Sequence, residues 1–495
     1  EGSGMVGVPG ISKRLFEALA LEKINVIFIT QCSSEYSITT AVSESEAERA
    51  RAVVNKVFLP EIENRQIEPL KVEKDLAILA LIGDRMKNKP GISGKMFSAL
   101  GRNGVNIRAI AQGSSERNIS AVIGIADLRK ASNVLHEEFF ETAIKQVNLF
   151  VVGLGNVGSR LMTQLHRQQT HLREHYNLQI NLVGIANSRR MLFSESSIHP
   201  AEWLGELEKG ESMELKKFVS QVRLRNLRNS VFVDVTADEK VPGAYAELLA
   251  GSISVVACNK IACSSSYRQY QELKQFASAF NASFLFETNV GASLPIIGTL
   301  NDLIRSGDEV YKIKAVLSGT LNYVFNQYNT ERSFAQIVKD AQNEGYTEPD
   351  PRTDLSGIDV RRKILILARE AGYVLEMKDV QNASFLPESC MKGSVDDFYT
   401  ELGKEEAHFR HLFHEAEKTG CKLKCVAEFE NGKASVGLQH IEPGSDLYHL
   451  YGKDNIVVFY TRRYENQPLV IKGAGAGADV TAAGIFADII RAARI

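Results

Sequence analysis

The chain has 495 residues, 44% hydrophobic and 24% charged, an ordinary globular composition with apolar content for three or four domain cores. Its 58 Lys and Arg stand against 60 Asp and Glu, a net charge of −2, which argues against a nucleic-acid or polyanion partner. No apolar run approaches the ~20 residues of a membrane span, and no signal-peptide pattern opens the chain. Of six cysteines, only Cys421 and Cys425 are close enough for a metal reading; they lack further Cys or His partners and read as reduced thiols of a cytoplasmic protein. The opening "EGSGMVGVPG" has no initiator Met and starts as if in mid-structure, so a fragment of a longer chain is expected.

In chain order, the first 145 residues read as a repeat. "PGISKRLFEALALEKINVIFITQCSSEYSIT" from Pro9 and "PGISGKMFSALGRNGVNIRAIAQGSSERNIS" from Pro90 align without a gap, at an offset of 90 − 9 = 81. Pro9, Gly10, Phe16, Leu19, Asn25, Gln31, Ser33, Ser34 and Glu35 recur as Pro90, Gly91, Phe97, Leu100, Asn106, Gln112, Ser114, Ser115 and Glu116. Each copy predicts a Pro-Gly turn, an amphipathic helix (11–20 and 92–101) and a β-rich run such as 24–30.

On these residues the segment resembles a tandem pair of ACT domains, ferredoxin-like modules that bind amino acids. The "SSEYSI" and "SSERNIS" endings resemble those of the aspartokinase family. In its threonine-responsive members a glutamine of each repeat contacts the effector, and the matching positions are Gln31 and Gln112. A strand-edge hydrogen bond is the alternative for both. The first copy, residues 1–70, lacks an opening strand and is expected to be N-terminally incomplete; the second covers 71–145.

Next, Gly153-Leu-Gly155-Asn156-Val157-Gly158 follows the apolar run "VNLFVV" and opens a helical pattern. That context makes a weak glycine signal into a dinucleotide site, with the pyrophosphate at a helix N-terminus. The strand "INLVGIA" (180–186) ends at Ala186 without the acid that binds the ribose hydroxyls of NAD. Ser188 and Arg189 follow, a hydroxyl and a cation suited to a 2′-phosphate, so NADP is favoured and NAD stays open. Strands at 230–238 and 252–260 complete a doubly wound, Rossmann-type α/β domain over 146–285, finished by 465–495. Its ligands belong at the carboxyl ends of the strands, where Thr236 and Lys260 fall.

Three further segments are "FLFETNVGASLPIIGTL" (284–300), "LSGTLNYVF" (317–325) and "GYTEPDPRTDLSGIDVRRK" (345–363). The last gathers Glu348, Asp354 and Asp359 ahead of Lys363. A helix is expected to start near Ser356 with Asp359 as a capping-box partner. Val360, Ile364, Leu367 and Ala368 would form its buried stripe, and Asp359 and Lys363 would lie one turn apart. Acids suit a substrate ammonium, and a lysine suits protonation of an aldehyde oxygen. In another setting the same pair is a surface salt bridge.

With the glycine loop, these segments resemble homoserine dehydrogenase, and their order after an ACT pair is that of the bifunctional aspartokinase/homoserine dehydrogenases. No stretch resembles the kinase catalytic domain, so no kinase activity is expected of this chain. The resemblance implies an α+β catalytic and dimerisation domain over 286–464. It implies Lys363 as proton donor, Lys260 as the second lysine at the same oxygen, Glu348 and Asp359 as binders of the homoserine end, and Asp354 as pocket support. Gly345 and Gly477 match positions that approach the cofactor. A monovalent cation, Na+, is implied on the Glu287 side chain and the carbonyls of Val290, Ala292 and Leu294, where a plain turn is the alternative. Thr353 and Arg361 or Arg362 depart from the family pattern without touching the matched catalytic positions. Cys258 reads as a core thiol, and His408, His411 and His414 as a solvated helix face.

The expected activity is NADPH-dependent, reversible reduction of L-aspartate 4-semialdehyde to L-homoserine, on the route to threonine and methionine. Threonine feedback and a homodimeric or homotetrameric assembly accompany it. A catalytically silent threonine sensor is the alternative, and a semialdehyde-oxidising enzyme using Cys258 a third reading.

Overall fold

Each repeat enters its first helix through a left-handed glycine, Gly10 (φ 92°) and Gly91 (φ 90°), a backbone region open mainly to glycine. The computed structural model describes the whole chain except residues 84–85, 141–143, 330 and 494–495. It divides into two units, Glu1–Ala143 and Ile144–Ile495.

In the first unit, copy one runs α1 (Ile11–Leu21), β1 (Phe28–Gln31), β2 (Ile38–Ala41), α2 (Ala47–Val57). Copy two runs β3 (Leu76–Ile82), α3 (Ile92–Arg102), β4 (Ile107–Gln112), β5 (Asn118–Gly124), α4 (Leu128–Phe139). The antiparallel sheets are β1-β2 and β3-β5-β4, with β1 lying beside β4. One core joins Leu15, Leu19, Val54 and Phe58; the other joins Met96, Leu100, Ile119 and Val134. The strand expected at 24–30 begins only at Phe28. Ile24 is taken up by the helix end: its N–H bonds the Leu19 carbonyl at 2.9 Å and its side chain enters the core.

The second unit holds two sheets. The first contains β6 (Lys145–Val152), β7 (Leu178–Ala186), β8 (Arg190–Ile198), β9 (Glu211–Ser212), β10 (Ser230–Asp234), β11 (Ser254–Ala257) and β12 (Phe284–Leu285). Their order is β12-β11-β10-β6-β7-β8-β9, parallel from β12 to β7. A parallel sheet buried on both faces explains the apolar stretches 149–152 of β6 and 231–233 of β10. Helix α5 (Asn156–Tyr176) follows the glycine loop, while α6 (Ile261–Ser264) and α7 (Tyr267–Ala279) follow β11. Strands β10 and β11 are shorter than the expected 230–238 and 252–260. One backbone bond continues past each end, from the Val235 N–H to Val152 and from the Cys258 N–H to Asp234; beyond these, the Asp234 and Asn259 side chains accept from the Thr236 and Ile261 N–H groups.

The second sheet has order β14-β16-β15-β13-β17-β18, built from β13 (Val310–Val316), β14 (Val380–Ala383), β15 (Lys422–Glu430), β16 (Lys433–Ile441), β17 (Asp454–Thr461) and β18 (Leu469–Ala474). Its helices include α8 (Ile297–Arg305), α9 (Gly319–Gln327), α10 (Phe334–Asn343), α11 (Arg352–Leu355) and α12 (Ile358–Glu370). The closing helix α13 (Ala478–Ala492) returns to the first sheet, where Ala482, Ile485 and Ile489 pack with Leu161, Met162 and Leu165 of α5. Helix α12 starts at Ile358, two residues past Ser356: the left-handed Gly357 (φ 73°) is its N-cap, and the Ser356 hydroxyl accepts from the Ile358 N–H at 3.4 Å without a capping box. Asp359 is therefore released from capping. The expected stripe is buried, but so are Lys363, Leu365, Ile366, Arg369 and Glu370, because the helix is enclosed on nearly all sides after its first turn. Among the described residues no helix is long and apolar enough to cross a membrane.

Lys424 of β15 is 1% exposed, and its ammonium donates to Asn322 Oδ1 (2.8 Å), Asn326 Oδ1 (2.5 Å) and the Leu450 carbonyl (2.8 Å). It thereby ties α9 and the segment before β17 to the sheet. Burial, with Lys422 nearby, pushes this ammonium down to about 8. A base depressed in the native state binds its proton less tightly there than in the unfolded chain, whose lysines titrate at about 10.4. Lys424 therefore costs stability at neutral pH, and the cost lifts as pH rises. Between pH 7 and pH 10 the urea midpoint of the wild type should move upwards relative to Lys424→Met; a gap that does not change with pH contradicts the buried ammonium.

Candidate active site

The glycine loop connects β6 to α5. Gly153 has φ 102°, and a Cβ there would lie 2.6 Å from the Val235 carbonyl carbon and 2.8 Å from Thr236 Cγ2. A Cβ on Gly158 would lie 2.4 Å from the Gly153 oxygen. Close packing of loop, strand end and helix thus demands glycine at both positions. Gly155 differs: nothing lies within 4 Å of its Cβ position, and as N-cap it gives α5 no side-chain cap. The uncapped first turn, at Asn156 and Val157, fits a pyrophosphate. The Ala186 carbonyl accepts from the N–H groups of Gly153 (2.9 Å) and Leu154 (3.2 Å), joining the end of β7 to the loop. Beyond it, Asn187 Oδ1 accepts from the N–H groups of Arg189 and Arg190, both at 2.8 Å. Ser188, Arg189 and Arg190 are all exposed, and Arg190 donates to the Gly210 carbonyl at 2.6 Å.

Asp234, fully buried at the end of β10, anchors the neighbouring strand ends. It accepts from the Tyr245 hydroxyl (2.5 Å), the Thr236 N–H (2.7 Å) and Asn259 Nδ2 (3.2 Å). Burial pushes its carboxyl up, against those three donors. Asn259 Oδ1 in turn accepts from the Ile261 N–H (3.1 Å), which sets the start of α6 and the direction of Lys260. Sequence reasoning passed over Asp234 and Asn259; the available signal was a single acid inside the apolar run "SVFVDV".

Lys260 and Lys363, from different sheets' connections, meet on one carboxylate. Lys363 Nζ lies 2.8 Å from Asp359 Oδ2 and donates to the Leu317 carbonyl at 2.7 Å. Lys260 Nζ lies 3.4 Å from Asp359 Oδ1. Burial alone would raise the Asp359 carboxyl, but the charges of Lys363 and Lys260 outweigh it and hold it well below the usual carboxylate range. Asp354 accepts from the Glu348 N–H at 2.8 Å, and from the Thr320 hydroxyl at 3.4 Å. That hydroxyl lies closer to the Tyr346 carbonyl, at 2.5 Å. Glu348 itself is exposed. Gly345 (φ 73°) closes α10: its N–H bonds the Gln342 carbonyl at 3.0 Å, and the Tyr346 N–H bonds Ala341 at 2.8 Å. This Schellman end turns the chain into the acidic loop.

The family pattern described as homoserine dehydrogenase matches residues 295–490, and its NAD-binding domain matches 153–287. The ACT domain pattern matches 1–58 and 79–139. The chain belongs to the homoserine dehydrogenase family. A bifunctional aspartokinase/homoserine dehydrogenase of Haemophilus influenzae is 41% identical over 99% of this chain, and a chloroplastic one of Arabidopsis thaliana is 39% identical over 100%. The chain spans 60% and 54% of those relatives' lengths. Among solved structures, a Candida auris protein of unknown function has a TM-score of 0.66 at 32% identity, covering 71% of this chain and 99% of its own. A hyperthermophilic archaeal homoserine dehydrogenase in complex with NADPH has a TM-score of 0.55 at 23% identity, covering 70% and 97%; that likeness is one of fold.

In this homoserine dehydrogenase unit, the Glu287 carboxylate is engaged with the neighbouring helix. It accepts from the Ile297 N–H (2.6 Å) and Gly298 N–H (2.8 Å) at the start of α8, and from Arg491 (3.1 Å). Three donors, one of them cationic, make it a helix cap. The carbonyl-bearing loop is unusual in its own right: Gly291 (φ 75°) and Ala292 (φ 54°) are both left-handed, between Val290 and Leu294. Among the described residues no cluster of three or more His, Cys, Asp and Glu could hold a metal. Burial, with the Asp234 charge, pushes the Cys258 thiol up to about 12, which makes it a poor nucleophile. Gly477 (φ 127°) is the N-cap of α13.

In the first unit, Gln31 lines a cavity of about 280 Å³ together with Pro9, Ser12, Glu35 and Ile38. Its repeat partner Gln112 accepts from the Ser93 hydroxyl at 2.9 Å. Both copies share a clasp that sequence reasoning did not single out. Glu35 accepts from the Gly7 N–H (2.8 Å), and Glu116 from the Asn88 N–H (2.7 Å).

Burial, and the charges of Glu348 and Asp359, push the Asp354 carboxyl up against the Glu348 N–H and Thr320 bonds. An acid raised in the native state binds its proton more tightly there, so its charge costs stability above that pKa and the cost disappears on acidification. Asp354→Asn keeps an acceptor for the Glu348 N–H. Its melting temperature should exceed the wild type's at pH 7.5 by about 1–3 °C, with the gain shrinking towards pH 4. An equal or lower value at pH 7.5 contradicts the assignment.

Proposed function

We propose that this chain is an NADPH-dependent homoserine dehydrogenase that reduces L-aspartate 4-semialdehyde to L-homoserine, reversibly, in the formation of threonine and methionine. The observation that carries the reading is the meeting of Lys363 and Lys260 on Asp359, in a unit that also holds the dinucleotide loop. NADPH, when bound, supplies the hydride. Gly153, Gly155, Gly158 and the first turn of α5 receive its pyrophosphate. Ser188 and Arg189 receive the 2′-phosphate, and Thr236, Gly345 and Gly477 border it.

The Lys363 ammonium has three N–H groups. Asp359 and the Leu317 carbonyl engage two, and the third serves the aldehyde oxygen of the substrate. Lys363 donates that proton as negative charge develops on the oxygen, and Lys260 adds a second positive charge beside it. Glu348 and Asp359 bind the amino-acid end, with Asp354 fixing the Glu348 backbone. In the reverse direction Lys363, as the neutral amine, accepts the homoserine hydroxyl proton.

Loss of such a general acid costs about 10²–10⁴ in rate. Lys363→Ala should lower kcat for NADPH oxidation with aspartate semialdehyde by that factor, with NADPH affinity by fluorescence titration unchanged. Wild-type turnover in Lys363→Ala removes the assignment, and no turnover by the folded wild type leaves a sensor without chemistry. The same progress curves with NADH test the cofactor preference, which equal rates would remove.

For the first unit we propose threonine as effector, bound at Gln31 in its cavity and at Gln112. Gln31→Ala and Gln112→Ala should each shift threonine inhibition of the dehydrogenase to higher concentration by about tenfold, the loss of one or two hydrogen bonds. Dose-response curves that overlay the wild type's in both variants exclude these glutamines.

A further inference from the structure

We propose that Asn455 is a positioning residue for Lys363, held in place by the close approach of Gly475. This inference rests on the dehydrogenase reading above. Asn455, the second residue of β17, is 0% exposed. Its Nδ2 donates at 3.2 Å to the Leu317 carbonyl, the oxygen that also accepts from Lys363 Nζ at 2.7 Å. Strands β13 and β17 pair up to Val316↔Ile456. At the next position the backbone ladder stops, and the Asn455 side chain takes over as donor to the carbonyl beyond it.

Two further observations show that the amide is kept for this one bond. The Asn455 Oδ1 is buried and has no hydrogen-bond partner. An unpaired buried acceptor is costly, and an apolar residue of the same shape would avoid that cost; what it could not do is donate to Leu317. Secondly, Gly475 leaves the end of β18 directly over this side chain. A Cβ on it would lie 2.0 Å from Asn455 Cγ and 2.1 Å from Nδ2. Gly475 is not among the left-handed glycines, so the need for glycine comes from proximity to Asn455. A chain of contacts thus runs from the glycine-rich segment before α13, through the Asn455 amide and the Leu317 carbonyl, to the Lys363 ammonium.

Without the second donor the Leu317 peptide plane loses the bond that fixes its tilt, and its carbonyl no longer orients the Lys363 ammonium. Asn455→Leu should therefore lower kcat by about 10- to 100-fold, the scale of a small misplacement of a reacting group. KM for the semialdehyde should stay within twofold, and the alkaline limb of the kcat–pH profile should move to lower pH. Gly475→Ala should produce the same pH shift by displacing the amide, and adding it to Asn455→Gly, which also removes the Cβ that would lie 2.4 Å away, should cause no further loss. A merely structural role would lower the melting temperature and leave the pH profile of the folded fraction in place. A wild-type profile in Asn455→Leu, or losses that add in the double variant, overturns the inference. If Asn455→Leu does not fold, Gly475→Ala decides by the same profile. Lys363→Ala is run alongside: activity lost there with Asn455→Leu unchanged defeats this inference alone, whereas an inactive wild type defeats the dehydrogenase reading.

Discussion

A buried ammonium needs partners, and Lys363 is buried. Asp359 supplies the first from one turn earlier on the same helix, so that contact forms locally. Its other oxygen meets Lys260, which stands where β11 gives way to α6. A single carboxylate therefore satisfies the buried charge and also fixes the separation of two segments that are distant in sequence. Its own charge is secured in the process, because two cations favour the ionised form more strongly than burial disfavours it.

That meeting depends on how α12 sits against the dinucleotide-binding sheet, and the far end of the helix sets it. Arg369, 3% exposed, donates to the Cys263 carbonyl of α6 at 2.9 Å and to the Leu375 carbonyl at 3.0 and 2.8 Å. Glu370 accepts from Lys274 at 2.8 and 2.9 Å and from the Tyr270 hydroxyl, both on α7. Truncating one partner of such a network leaves charge without compensation, at a cost of about 3–5 kcal/mol. Both ends of α12 are thus tied to the segment that carries Lys260, which explains why the helix is enclosed rather than amphipathic.

How much of this was legible depended on the range of each interaction. The glycine loop, the repeat and the Asp359–Lys363 spacing are local patterns, and the structure carries all three. The start of α12 near Ser356 was legible to within two residues, but the capping box with Asp359 was not borne out, because the left-handed Gly357 takes the N-cap position. The cap that Glu287 makes was not legible for a different reason. Its N–H partners belong to Ile297 and Gly298, on a helix whose position relative to the loop is a property of the fold. The bonds of Asp234, Asn259 and Asn455 were not legible because the partners of each are supplied by other segments.

Taken alone, the order of residues determined what short-range physics can specify. It specified helices at the apolar spacings, turns at the glycines, a glycine loop between a buried strand and a helix, and an acid one turn ahead of a lysine. The tertiary structure decided which groups share a proton acceptor: Lys260 with Lys363 on Asp359, and Asn455 with Lys363 on the Leu317 carbonyl. Such sharing is set by the packing of two sheets and the helix between them, since hydrogen bonds and ion pairs act over about 3 Å while the segments that make them are joined only through the folded core.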